Sequence, residues 1–241
     1  MKSQKMSLGF MALATSLNVF AADLTRLEIE QKLNSADKTH IADLRRQNFR
    51  TLNLSKLDFR NSDLWGTDLR DANLNDSDLS NLNLDLTVMT RIHFAHANLS
   101  NTSIFGVSMM EADLSGANLS GSRFIANLDK ANLKGANLTN VNWGVDMKNQ
   151  PMGLMRVSLN GANLSNANLT GANLNRALMK RVDLTGANLT NADLTMADLS
   201  GSRLENVNFR GTNLSGTKFG YIKDKSIFNG ALNVNAAIFE E

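Results

Sequence analysis

Three histidines, His40, His93 and His96, are the side chains suited to proton chemistry near neutral pH. His93 and His96 are close enough in sequence to approach each other across one turn of the chain, as two imidazole ligands would. A metal site needs at least one more ligand at suitable geometry, and the spacing nominates none. The chain has no cysteine, which removes thiolate sites and disulfides together. No phosphate loop, nucleophile elbow or zinc motif is present. The aspartates recur at regular intervals, as turn residues do, and do not gather into a carboxylate cluster. An active site needs titratable groups that converge in a concave place. The sequence therefore assigns no catalytic, cofactor-binding or metal-ligating residue and no cofactor, and it reads as the sequence of a protein that is not an enzyme.

Two groups of residues carry binding chemistry instead. The stretch from Gly144 to Arg156 holds the only proline, Pro151, and three methionines. Methionine adapts to varied surfaces and is over-used at promiscuous binding sites. Met147, Pro151, Met152, Leu154, Met155 and Arg156 are the candidate interaction loop. They either project to meet a partner or fold back onto Trp143. Arg45, Arg46, Arg50, Lys56 and Arg60 form a candidate basic patch, followed by Asp63, Asp68, Asp71, Asp76, Asp78 and Asp85. The two clusters are either a solvated surface that keeps the chain soluble or two electrostatically distinct binding patches.

The elements that hold these residues follow from a period of five. From Leu159 to Phe219 every fifth residue is large and apolar, as in Leu164, Leu169, Leu174 and Met179. Two residues before each sits a small or β-branched one, such as Ala162, Ala167, Ala172 and Ala177. Asn or Asp mostly lies between. Five matches neither the helical period of 3.6 nor the strand period of 2. If each unit is extended and then turns, four units close one square coil of about 20 residues, and coils stack at roughly 4.8 Å. Asn and Asp suit the turns, because their side chains bond to nearby backbone.

Runs such as Ala162-Asn163-Leu164-Ser165-Asn166-Ala167-Asn168-Leu169 resemble the pentapeptide repeat family over nearly all of Ala42 to Phe219. The resemblance implies an all-β chain: a right-handed quadrilateral parallel β-helix, a solenoid. In family members that protect DNA topoisomerases, a loop projecting from the coil carries function. Family members also dimerise through the C-terminal end, so the resemblance implies a homodimer formed there.

The organisation follows. Residues 1–21 read as a secretory signal peptide: Lys2 and Lys5, an apolar run from Met6 to Phe20, and Val19-Phe20-Ala21 ahead of the cleavage point. Residues 22–41 form an N-terminal cap and linker. There Thr25-Arg26-Leu27-Glu28 fits a capping box, and Leu24, Leu27 and Leu33 fall on one helical side. Repeats fill 42–143, with a register slip near 125–128, where Leu128 arrives one residue early. Residues 144–157 are the loop, 158–220 the second repeat block, and 221–241 a C-terminal cap with a short helix near Ala231–Phe239. Leu52, Leu57, Leu82 and Ile92 stand in the small-residue slot, so their coils should be wider or distorted. Trp143 is too large for an average inner slot.

The expected function is an exported scaffold, periplasmic or secreted, that binds another protein. No small-molecule substrate is expected, and no later stretch is long enough to span a membrane. The alternative is a DNA mimic that interacts with topoisomerase or gyrase. Mimicry requires dense negative charge. The chain has 25 basic and 23 acidic residues, and removing Lys2 and Lys5 leaves 23 of each, so nucleic acid and its mimicry are disfavoured.

Overall fold

The structure, a computed structural model, describes residues 22–145 and 156–240. From Ala42 onward the backbone turns a corner every five residues, and residues twenty apart lie above one another in parallel, as in Asn53↔Asn73↔His93↔Asp113. The result is a right-handed, four-sided parallel β-helix. Its strands are short: β1 Ala42–Asp43, β2 Ser62–Asp63, β3 Ser103–Ser108, β4 Arg123–Asn127, β5 Asp198–Leu199, β6 Lys218–Phe219 and β7 Ile238–Phe239. Elsewhere single bridging residues do the pairing. The wall centred on Leu44, Leu64, Leu84, Ile104, Phe124, Trp143, Leu174, Leu194 and Leu214 is here the first. The second is centred on Phe49, Leu69, Met89, Met109, Leu128, Leu159, Met179, Leu199 and Phe219. All these central residues are buried, as are the alanines two places before them.

Two turn features explain the unit. The Asn or Asp before each central residue accepts a hydrogen bond from the backbone N–H two residues on, as Asn118 does from Ser120 at 3.2 Å and Asp193 from Thr195 at 2.9 Å. The last residue of the unit takes a left-handed backbone. Gly fills many of these places, and Arg46, Thr51, Leu86 and Met196 fill others at φ 58–62°. Where Thr or Ser replaces the small alanine, its hydroxyl donates to a backbone carbonyl; Thr67 does so to Leu44 and Thr212 to Leu189.

Three of the four bulky residues in the small slot leave the ladder intact, with bridges at Asn53, Asp58 and His93. Beside Leu82 it is interrupted: Asn83 bridges Ser103 on one side and has no bridge to Asp63 on the other. Buried Ile92 is stacked between Ala72 and Ala112, small neighbours in the same column that make room for it, while Leu82, between Ser62 and Thr102, adjoins the gap in the ladder. Leu52 and Leu57 lie in the first coil and are only partly buried.

The N-terminal end is closed by α1, Arg26–Asn34, whose capping box joins Thr25 and Glu28. The buried face differs from the expected one: Ile29 is inside and Leu27 points to solvent, because Ile29 and Leu33, four apart, turn to the coil together. At the C-terminal end two 3₁₀ turns, Lys225–Phe228 and Val234–Ala236, replace the expected short helix. The coil outlasts its sequence signal there, since Asn213 bridges Leu232 and β6 pairs with β7. Phe209, Phe219, Phe228 and Phe239 pack together and fill the last level.

Two irregularities interrupt the stack. Between β3 and β4 the register shifts past Gly106, so that Ile125 is the single residue between Phe124 and Ala126. The pairing separation drops to nineteen, as in Asn118↔Asn137. Later it rises to thirty-one, as in Asn142↔Asn173, an excess of eleven residues over one coil. The wall holds as far as Val145, whose N–H reaches Asn175 O at 3.3 Å, and is regular again at Ser158. Trp143 is fully buried within this altered coil. It stacks on Phe124 at 4.8 Å and 9°, and its Nε1 donates to Ser122 Oγ at 3.1 Å.

Candidate interaction surface

The first corner, between the first and second walls, is unlike the rest. Across residues 42–219, corner positions among the described residues carry large apolar side chains here: Trp65, Leu86, Phe105, Val145 and Met196 reach the surface at least in part, and Ile125 is buried at the slip. The second wall and its far edge add Val88, Leu178 and Met110. The third and fourth walls have none. Apart from His93, Ala95 and His96, their outward positions are Asn, Asp, Ser, Thr, Gly and charged residues, tied into ladders such as Asn98 Nδ2 to Asp78 and Asn118 Nδ2 to Asn98. Leu86 and Met196 are 55% and 51% exposed, so the coil does not use them for its core.

Both irregularities lie at the same corner. The register slip at Ile125 and the eleven-residue excess both fall between the first and second walls. Beside the slip is a depression of about 310 Å³ lined by Val107, Ile125, Ala126 and Arg156. Arg156 is exposed and stands where the chain rejoins the wall. Met147, Pro151, Met152, Leu154 and Met155, the other candidates of the loop, lie outside the described residues, as does the expected signal peptide.

The basic patch is brought together only in part, and two of its five cations, Arg45 and Arg60, pair with carboxylates. Arg45 pairs with Asp43 at 2.9 Å and approaches Asp63 at 3.6 Å. Arg60 pairs with Asp58 at 2.6 Å. Hydrogen bonds from the Arg45 guanidinium hold the Asp43 carboxyl down at about 2. Arg46 lies over the Trp65 indole, 4.8 Å from the ring centre. Arg45 and Arg46 border a hollow of about 810 Å³ with Ile41, Trp65 and Asn83. Arg50 and Lys56 stand at the next two corners and do not line it. His93 and His96 are both exposed, and His96 lies against Gly116 of the next coil. Among the described residues no group of three or more His, Asp or Glu side chains could hold a metal, and no helix is long and apolar enough to cross a membrane.

The sequence did contain a signal for the apolar corner. It appears when outward positions are compared every twenty residues, corrected for the short and long coils, and is invisible at a period of five.

Against known families the chain matches Pentapeptide repeats in eight copies, over residues 42–66, 53–91, 88–124, 126–143, 158–195 and 183–220. The chain belongs to the pentapeptide repeat family. No curated protein matches the sequence. Among solved structures, this pentapeptide repeat chain is similar to HetL, a protein involved in heterocyst differentiation regulation from the cyanobacterium Nostoc sp. strain PCC 7120. Identity is 22%, with 90% of this chain and 94% of that one covered and a TM-score of 0.47. It is also similar to trypsin-treated QnrB1, a plasmid-mediated fluoroquinolone resistance protein, at 17% identity, 79% and 92% coverage and a TM-score of 0.44. A third is a pentapeptide repeat protein from the Arabidopsis thaliana thylakoid lumen, at 26% identity, 53% and 68% coverage and a TM-score of 0.24. These likenesses concern the coil and carry no information about a partner.

Proposed function

We propose that this pentapeptide repeat protein is an exported, non-enzymatic scaffold that binds another protein along its first corner. The supporting observation is the segregation of outward apolar residues: a four-sided rod that only needed to be soluble would spread them evenly or omit them. Solenoids offer long binding surfaces of this kind. Val145 and Arg156, the described residues on either side of 146–155, both stand at that corner, and the sequence between them carries Met147, Met152 and Met155, a residue type that adapts to varied surfaces. Export rests on the N-terminal pattern of basic, apolar and small residues.

Deleting Met147–Met155 should abolish capture of the partner, read by crosslinking in fractionated cells, while the circular dichroism spectrum stays β-like. Unchanged capture would remove the edge from consideration. Recovery of the protein with an intact N-terminus in the cytoplasmic fraction would remove export. A second copy is the partner proposed for the C-terminal end, where Leu232 and Ile238 are 53% and 52% exposed on the last level. Light scattering should then give a dimer mass, and Ile238→Lys should reduce it to a monomer.

The alternative role of DNA mimic needs an anionic rod. The balanced charge, and the cations paired with carboxylates along the N-terminal coils, give it no support.

A further inference from the structure

Ion pairing on the second wall and its borders is incomplete toward the C-terminal end of the rod. Near its N-terminal end Arg70 pairs with Asp68 and Arg91 with Asp71. In the last coils Lys180 still reaches Asp198 at 3.3 Å. Arg156, Arg176, Arg181 and Lys218 have no such carboxylate among the described residues. The register that bridges Ser158 to Leu178 to Asp198 and pairs Asp198 with Lys218 puts all of them on one face or its two borders. Arg156 and Arg176 are one coil apart, about 4.8 Å along the axis, and Lys218 is two coils beyond Leu178, about 10 Å.

Leu178 and Met196 lie among these cations, and neither is what the coil itself would select. Leu178 takes the place that Asn, Asp or Ser usually fills. The corner after it thereby loses its own side-chain acceptor, and the Lys180 N–H turns to Asn160 Oδ1 of the neighbouring coil at 3.0 Å. Met196 sits at φ 58°, where Gly or Asn is easier. Two apolar residues placed against the turn chemistry, inside an unpaired cationic border, have a use outside the coil.

We infer that this part of the second wall docks an acidic protein segment that also carries apolar side chains. The inference rests on the scaffold reading above and names the chemistry of its partner. Carboxylates answer Arg156, Arg176, Arg181 and Lys218, and an apolar side chain seats on Leu178 and Met196. From Arg156 to Lys218 the spread is three coils, about 14 Å, which matches about four residues of an extended peptide. A nucleic acid backbone would satisfy the cations and leave both apolar residues unused. A lipid surface would require apolar groups that reach past the headgroups, and Leu178 is shorter than the arginines beside it.

The test is fluorescence anisotropy of a labelled peptide of alternating glutamate and leucine, with the full-length protein. Controls are a polyglutamate peptide of equal length, a short DNA duplex and phosphatidylserine vesicles. The Glu–Leu peptide should bind tightest, and more weakly at high salt. Arg176→Glu with Arg181→Glu should weaken it at least about tenfold. Leu178→Asn, which restores the usual repeat residue and so keeps the coil, should weaken it several-fold. Arg210→Glu, on the fourth corner, should leave it unchanged. The inference is overturned if duplex or vesicles bind more tightly than the peptide, if polyglutamate binds equally well, or if the face variants bind as the parent does. Should peptide binding be absent while a protein still crosslinks to the Met147–Met155 segment, this face is wrong and the scaffold reading stands. Loss of both removes both.

Discussion

A single unit of this chain asks for three things: a large residue inside, an acceptor just before it and a left-handed residue at its end. The first two are legible in the sequence, since Leu and Asn recur at fixed places. The third is written in Gly116, Gly161 and Gly186, and is masked wherever another residue type occupies it. Thr51 is the poorest fit, a β-branched residue at φ 59°. Thr51→Gly should raise stability by about 1 kcal/mol, measured by urea denaturation, because relief of the left-handed strain exceeds the entropy cost of Gly. A loss of stability would show that the Thr51 side chain is held by contacts that outweigh the strain. The acceptors also set the pH response. Hydrogen bonds from Arg45 lower the Asp43 carboxyl to about 2, those from Arg60 lower Asp58, and those from Thr185 lower Asp183. A depressed folded value contributes stability above the unfolded value of about 3.9, and that contribution is lost as pH falls through the folded value. The urea midpoint should therefore be level above about pH 5 and fall between about pH 4 and 2. A profile level down to pH 2 would contradict this account of the turns.

At the level of one coil, the count of residues reveals the slip at Leu128 and the excess after Trp143, while their consequences need three dimensions. Ile125 has to serve as a whole corner, and its burial there is invisible to a pattern of five. Trp143 looks oversized only if each slot is judged alone. Its slot is shared with Phe124 one coil below, and two flat rings at 4.8 Å fill the height that the stacking allows. Ser122, in the small slot of the coil below, offers its hydroxyl to the indole N–H. Ile92, between Ala72 and Ala112, teaches the same lesson from the other side: a column, and not a single unit, is what must balance large and small. Trp143→Ala should cost about 3–5 kcal/mol through the cavity it leaves. Ser122→Ala should cost about 1 kcal/mol, since it strips one buried donor of its partner. Thermal denaturation followed by circular dichroism reads both. If the two substitutions cost the same, the hydrogen bond would dominate the site and the stacking would be incidental.

Over the whole molecule, roughly nine stacked steps make a rod about 43 Å long whose ends are its weakest parts. Each end exposes a row of backbone groups that would otherwise pair with another chain. The first coil meets this with Asp23 and α1. The Asn48 N–H donates to Asp23 Oδ2, and the Arg26 guanidinium donates to Asn53 O at 2.8 Å and Ser55 O at 3.0 Å. One arginine thus closes carbonyls on an edge that has no further coil. Sequence pattern alone places a helix here by its capping box but assigns Arg26 no role, because its acceptors lie 27 and 29 residues away. Arg26→Ala should lower stability by about 1–2 kcal/mol, as expected for lost charge-assisted bonds at a partly exposed site. Removing residues 22–34 should do something different in kind. It bares the edge and uncovers the apolar end on which Ile29 sits, so light scattering should show a mass that climbs with concentration, while urea denaturation of the remaining coils keeps a cooperative transition. A truncated protein that stays monomeric at high concentration would mean that the first coil protects its own edge, and that α1 is present for another purpose.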